Sequence, residues 1–159
     1  MDQKIKSLGI DPSLTSTGII LLDGEEIQQV KVVKTTSKQP LGERYNLILE
    51  GILEVAGDLT IHTAAIEDPS HARNTAVANK LGGAWGTAFV ACHRLGLDAH
   101  SVKVSEHRKP WKEQSKAGAV DLVRTKWPEL LEYPDDLADA ASVAWWARIK
   151  LLEAISDQE

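Results

Sequence analysis

The chain of 159 residues has a single cysteine, Cys92, so no disulfide framework closes within it and a reducing compartment suits it. No apolar run is long enough to span a bilayer, and the N-terminus lacks the pattern of a secretory signal. These absences predict a cytoplasmic protein with no membrane partner. No internal repeat, low-complexity tract or linker interrupts the chain, so residues 1–159 are read as one domain. No Cys/His cluster is present to hold zinc. What remains is an ordinary globular composition, 43% apolar and 26% charged, large enough for a core without staples.

The net charge of −5 argues at first against a polyanion partner, but the charge is unevenly spread. From Lys103 to Lys126 there are seven basic and three acidic side chains, a local balance of +4 that leaves −9 for the remainder. That asymmetry permits a basic, nucleic-acid-facing surface on an acidic protein; an ordinary solvated helix face would read the same way.

Two short apolar runs, one ending in Ile10-Asp11-Pro12 and the next, Ile19 to Leu22, ending at Asp23-Gly24, read as an antiparallel hairpin over 4–11 and 15–23. A third strand is expected at 25–36. Leu41, Tyr45, Ile48, Leu49, Ile52 and Val55 then recur at helical spacing until Gly57-Asp58. Thr63 to Glu67 is another buried-type strand ending in a carboxylate and a proline, an echo of the first. Two strands separated by a helix form the parallel crossover pattern, in which chemistry gathers beyond the carboxyl ends of the strands. Residues 74–95 read as a helix that is apolar nearly all round. One side would pack on the sheet, the other against a second copy of the chain or the rest of its own subunit. A strand at 97–104, a helix at 115–127 and a last helix from Asp135-Asp136 to about Ile155 complete the chain.

Four acids stand out because each lies on an otherwise apolar element. Asp11 and Glu67 end strands. Asp136 and Asp139 are three apart on a helix stripe continued by Ala140, Val143 and Ala147. An N-cap role for Asp135 or Asp136 would explain one of them, but not Asp139 among alanines. Buried carboxylates are costly unless paired or holding a metal, and all-oxygen ligands suit Mg²⁺ or Mn²⁺. Two such ions, about 4 Å apart, support in-line phosphodiester hydrolysis.

On these residues the chain resembles the RuvC family of Holliday-junction resolvases, within the RNase H-like superfamily. Gly9-Ile10-Asp11-Pro12-Ser13-Leu14-Thr15-Ser16-Thr17-Gly18 is similar to the family's opening GIDPGLxxTG. Ala65-Ile66-Glu67, with Ala72-Arg73-Asn74 and Lys80-Leu81-Gly82, resembles its second block. Lys116 to Thr125 resembles the segment carrying a lysine close to the scissile phosphate, and Asp136-Leu137-Ala138-Asp139-Ala140 the D-x-x-D-A start of its last helix. The resemblance implies an α/β fold, a five-stranded mixed sheet with helices on both faces. It also implies a homodimer that nicks a four-way DNA junction symmetrically with two Mg²⁺ per site. The matching catalytic and metal-holding residues are Asp11, Glu67, Asp136 and Asp139, with Lys116 on the DNA. Further expected DNA contacts are Ser70, His71, Arg73, Asn74, Lys103, Arg108, Lys109, Trp111 and Lys112, with Trp111 offered for stacking.

The departures from the family are specific. An aromatic expected three residues after the glutamate is Ser70, with His71 beside it. Ser105 to Ser115 lacks the bacterial glycine pattern and is more like phage-borne relatives. Ser13 replaces a glycine. Alternatives are a relaxed flap or branched-DNA nuclease on the same fold, or a non-catalytic junction-binding protein, for which four acids beside a phosphate backbone would have no use. The Asp11-to-Gly18 turn also resembles the phosphate loop of actin and sugar-kinase ATPases. Those need a second domain, so no nucleotide cofactor is expected in a chain this short. His107 receives no role from the sequence.

Overall fold

A computed structural model describes residues 4–69 and 74–159. The expected contacts Ser70, His71 and Arg73 lie outside the described residues. Strands β1 (Lys6–Asp11), β2 (Ser16–Asp23) and β3 (Glu26–Lys34) form an antiparallel meander. Helix α1 (Leu41–Ala56) then crosses over to β4 (Thr63–Glu67), which pairs parallel to β1. After α2 (Thr75–Arg94), β5 (His100–Val102) pairs parallel to β4. The sheet order is β3-β2-β1-β4-β5. The C-terminal part holds a short helix α3 (Val104–His107), a 3₁₀ turn (Lys109–Trp111), α4 (Lys116–Lys126), a second 3₁₀ turn (Pro128–Glu132) and α5 (Asp135–Ser156).

The central strands are apolar on consecutive positions because both faces of the sheet are covered. On one face Leu8, Ile10, Ile19 and Leu21 pack with Ile48, Ile52 and Val55 of α1 and with Ala84, Ala88 and Ala91 of α2. On the other, Ile20 and Leu22 meet Leu137, Ala140, Ala141 and Ala144 of α5, and Ala65 meets Val143 and Ala147. Alternation along each strand therefore puts Asp11, two residues beyond Gly9, and Glu67, two beyond Ala65, on the α5 face.

That face has glycines where side chains would collide. A Cβ on Gly9 would lie 2.1 Å from Ala140 O, and one on Gly18 would lie 2.3 Å from Asp136 O. The alanine-rich side of α5 thus rests directly on the backbone of β1 and β2. Gly18 is the register partner of Asp11, so the same contact sets the first turn of α5 beside the end of β1.

A strand boundary and a helix cap differ from the sequence reading. β5 spans three residues, not 97–104, because it is an edge strand paired only with Ala65–Glu67. Leu97 and Ala99 bury against the α1/α2 core without joining the ladder, and Val104 already opens α3. The N-cap of α5 is Pro134, so neither Asp135 nor Asp136 caps it; Asp135 pairs instead with Arg124 at 3.2 Å. Cys92 is buried in the core, and burial pushes its thiol up to about 12, which makes it inert. Among the described residues no helix is long and apolar enough to cross a membrane.

Candidate active site

The parallel pairing of β1 with β4 sets Ile10 opposite Ile66, so Asp11 and Glu67 leave the sheet side by side. Asp139, one turn into α5, descends onto them. Carboxylate oxygens of Asp11, Glu67 and Asp139 lie within 4.8 Å of one another. Asp136 is the outer member. Its Oδ2 accepts a 2.6 Å hydrogen bond from Ser16 Oγ at the start of β2, and it lines the same 230 Å³ cleft as the other three. Pro12, Ser13, Asp68, Pro69, Leu81 and Lys116 complete that cleft.

Three acids this close repel one another. Burial first, then the charges of Glu67, Asp139 and Asp136, holds the Asp11 carboxyl well above the ordinary aspartate range, against the pull of Lys116. Burial and the Glu67 charge push Asp139 up to about 6, opposed by Lys116, His107 and Arg108. Two cations reach Asp139 from opposite oxygens: Arg108 Nη2 at 3.9 Å from Oδ1 and Lys116 Nζ at 3.9 Å from Oδ2. Lys116 is the first residue of α4, whose N-cap Ser115 accepts from Gly118 N–H at 3.1 Å. A cluster with only oxygen donors, converging from three elements and raising its own proton affinity, fits a hard divalent cation, which would remove the repulsion.

The sequence reading missed the support behind Glu67. His107, the last residue of α3, is fully buried, and its Nε2 stands 2.8 Å from Glu67 Oε2. An ionised carboxylate only accepts, so Nε2–H is the donor and Glu67 is held by one oxygen. The other ring nitrogen, Nδ1, is 2.8 Å from Ser142 Oγ on α5. Ser142 Oγ–H in turn donates to His107 O at 3.0 Å, and Trp111 Nε1–H donates to Ser142 Oγ at 2.9 Å. No helical period in the sequence marks His107, because α3 ends at it after four residues.

The remaining expected contacts are placed in three ways. Lys103, Lys109 and Lys112 are exposed on the same segment, with Lys112 at φ 55° turning the chain into α4. Asn74 caps α2, its side chain accepting from Val77 N–H at 2.9 Å. Trp111 is half-buried, its N–H committed to Ser142 and its ring edge-on to Trp127 with centroids 5.9 Å apart.

A mixed sheet whose central parallel strands end in acids, met by more acids from a C-terminal helix, defines the RNase H-like class of fold. Within that class, the family model described as Crossover junction endodeoxyribonuclease RuvC matches residues 7–145. The chain belongs to the RuvC family. The crossover junction endodeoxyribonuclease RuvC of Corynebacterium jeikeium is 29% identical over 146 residues, covering 86% of this chain and 90% of that one. The protein of the same name from Citrifermentans bemidjiense is 31% identical, covering 86% of this chain and 88% of that one. Among solved structures, Thermus thermophilus RuvC superposes with a TM-score of 0.80 at 25% identity over 94% of this chain and 97% of that one. The same protein in complex with a Holliday junction substrate superposes at 0.83 and 24% identity, over 94% and 96%.

Proposed function

We propose that residues 1–159 act as one nuclease domain that resolves four-way DNA junctions, nicking opposed strands symmetrically as a homodimer. The observation that carries this reading is the convergence of Asp11, Glu67 and Asp139 within 4.8 Å, in a chain of the RuvC family. Asp11, Glu67, Asp139 and the outer Asp136 would hold two Mg²⁺, with Mn²⁺ able to replace it. The bound ions would supply activation of a water and stabilisation of the leaving oxygen in an in-line displacement. The chain's own residues hold the geometry for that step. Ser16 fixes Asp136 and His107 fixes Glu67, so both carboxylates meet their ligand in set orientations. Lys116 is 59% exposed and only 3.9 Å from Asp139, free to turn its ammonium onto a scissile phosphate. Exposed Lys103, Lys109 and Lys112 would bind flanking phosphates.

The dimer reading is supported by α2. Asn79, Gly82, Gly86 and Val90 form a stripe facing away from the core; a Cβ on Gly82 or Gly86 would meet nothing within 4 Å, and Val90 is 52% exposed. A second copy would cover it.

The test is incubation of an end-labelled four-way junction and a matched linear duplex with the protein, with and without Mg²⁺. Paired, metal-dependent nicks in the junction alone are expected. Asp11→Asn and Glu67→Gln should abolish them while junction binding survives; full activity in either variant would overturn the assignment. Cutting of flaps and duplex alike would mark a relaxed nuclease.

A further inference from the structure

A second cavity adjoins the carboxylate cleft and has the opposite charge. It occupies about 350 Å³ between the β1–β2 turn, the chain after β3, and the first turns of α1 and α2. Ser13 and Leu81 form a wall common to both cavities. Its polar lining is Ser13, Thr15, Ser37, Arg44 and Lys80, two cations and three hydroxyls with no carboxylate.

Arg44 is the unusual member. It is only 6% exposed, and an arginine so buried ordinarily has an acid beside it. Here Nε–H donates to Thr35 Oγ1 at 2.8 Å, and Thr35 is itself fixed by donating to Leu14 O and by its N–H to Thr15 O at 3.1 Å. Among the described residues that is the only hydrogen bond of the Arg44 side chain, and no carboxylate forms an ion pair with Arg44 or Lys80. A buried guanidinium that is pinned through Nε and lines a cavity has, among the described residues, no carboxylate as its counter-ion.

We propose that this cavity binds a phosphodiester of the cleaved strand beside the scissile one, with Arg44 and Lys80 on its non-bridging oxygens. The proposal rests on the nuclease reading. The cleft holds the phosphate that is cut among acids and their cations, and the neighbouring cavity receives the next part of the backbone on the fixed Arg44 and the exposed Lys80. Such a contact would set which linkage enters the cleft, because a strand held at two points cannot slide.

The test is a scan of the cleaved strand in which single phosphates near the cut are replaced by neutral methylphosphonates, with junction binding measured for the wild type, Arg44→Gln and Lys80→Gln. In the wild type, one position other than the scissile phosphate should weaken binding about tenfold when neutralised. Both variants should bind the unmodified junction more weakly and lose that one sensitivity while keeping the others. Each should also show a slope of log affinity against log salt shallower by about 0.9. Lys80 is exposed, so its variant reports even where removal of buried Arg44 unfolds the chain. Wild-type scans in folded variants would overturn the site. A thermal shift with inorganic phosphate that Arg44→Gln abolishes, with no strand position coupled to it, would overturn the strand assignment in favour of a free anion. A wild type that nicks no DNA would overturn the nuclease reading instead, and the binding scan would still decide the site.

Discussion

The two faces of the sheet are packed on different principles. Against α1 and α2 the strands present branched side chains, and the helix glycine that lies close against them, Gly51, meets side-chain ends: Val33 Cγ2 at 2.5 Å and Ile19 Cδ1 at 3.3 Å from an added Cβ. Against α5 the glycines belong to the strands and meet backbone atoms, Ala140 O and Asp136 O. Side-chain ends can shift to accept an added methyl; a helix backbone cannot without moving as a whole. The functional acids lie on the face where nothing yields. Glycine and alanine there work as spacers that fix how far α5, with Asp136 and Asp139, stands from Asp11.

A matched pair of substitutions breaks the comparison most sharply. Gly9→Ala must lift α5, and a displacement of about 1 Å is expected to lower nicking on the order of 10²-fold, with stability reduced by about 1–3 kcal/mol or more. Gly51→Ala should cost stability in the same range, partly offset by up to about 1 kcal/mol of helix propensity, yet leave the nicking rate per folded molecule unchanged. Chemical denaturation and single-turnover nicking read the two effects separately. Equal losses of rate would mean that the faces do not differ.

The next effect belongs to the acids themselves. Asp139 titrates near 6 in the folded chain against an ordinary 3.8, so the native state holds its proton more tightly than the unfolded one. The sign follows: metal-free protein gains stability as pH falls from about 6 toward 4 and loses it as pH rises through 6. The full shift corresponds to about 3 kcal/mol. Added Mg²⁺ should reverse the trend, stabilising more as pH rises, and Asp139→Asn should make both curves shallower in thermal melts with chelator or Mg²⁺, leaving the part that Asp11 contributes.

A smaller change tests the support behind Glu67. His107→Leu should weaken Mg²⁺ binding, read from the metal-dependent melting shift, by about 10–100-fold. His107→Gln, whose amide can still donate to Glu67, should recover part of it. The smallest effect is expected on the far face, where Lys31 and Glu54 pair at 2.6 Å in the open. Lys31→Ala should change stability by less than about 1 kcal/mol and leave nicking untouched.

Much of this was legible in the chain, for reasons that can be stated residue by residue. The strands read through their apolar runs, and α1 through Ile48, Ile52 and Val55 at helical spacing. Asp11, Glu67 and Asp139 were conspicuous because each is a charge on a buried element. Parallel pairing of β1 and β4 followed from the helix between them. What escaped were features built from short elements. α3 has four residues and β5 three, too few for a period to declare itself, so His107 was read as one more residue of a basic loop. Trp111 reads as a stacking candidate because its neighbours are basic, and its hydrogen bond to a serine 31 residues later is a long-range contact that no local pattern announces. Arg44 gave no sign of burial, since its enclosure depends on Thr35 and the β1–β2 turn closing over it.

The strut from Glu67 through His107 to Ser142 has a mechanical consequence. Ser142 and Asp139 are successive turns of α5, so the helix carries one carboxylate directly and steers the other through the imidazole. The helix that supplies one ligand thus also sets, through a single imidazole, the orientation of another that belongs to the sheet, and the spacing of the two acids is anchored at both ends to one rigid element.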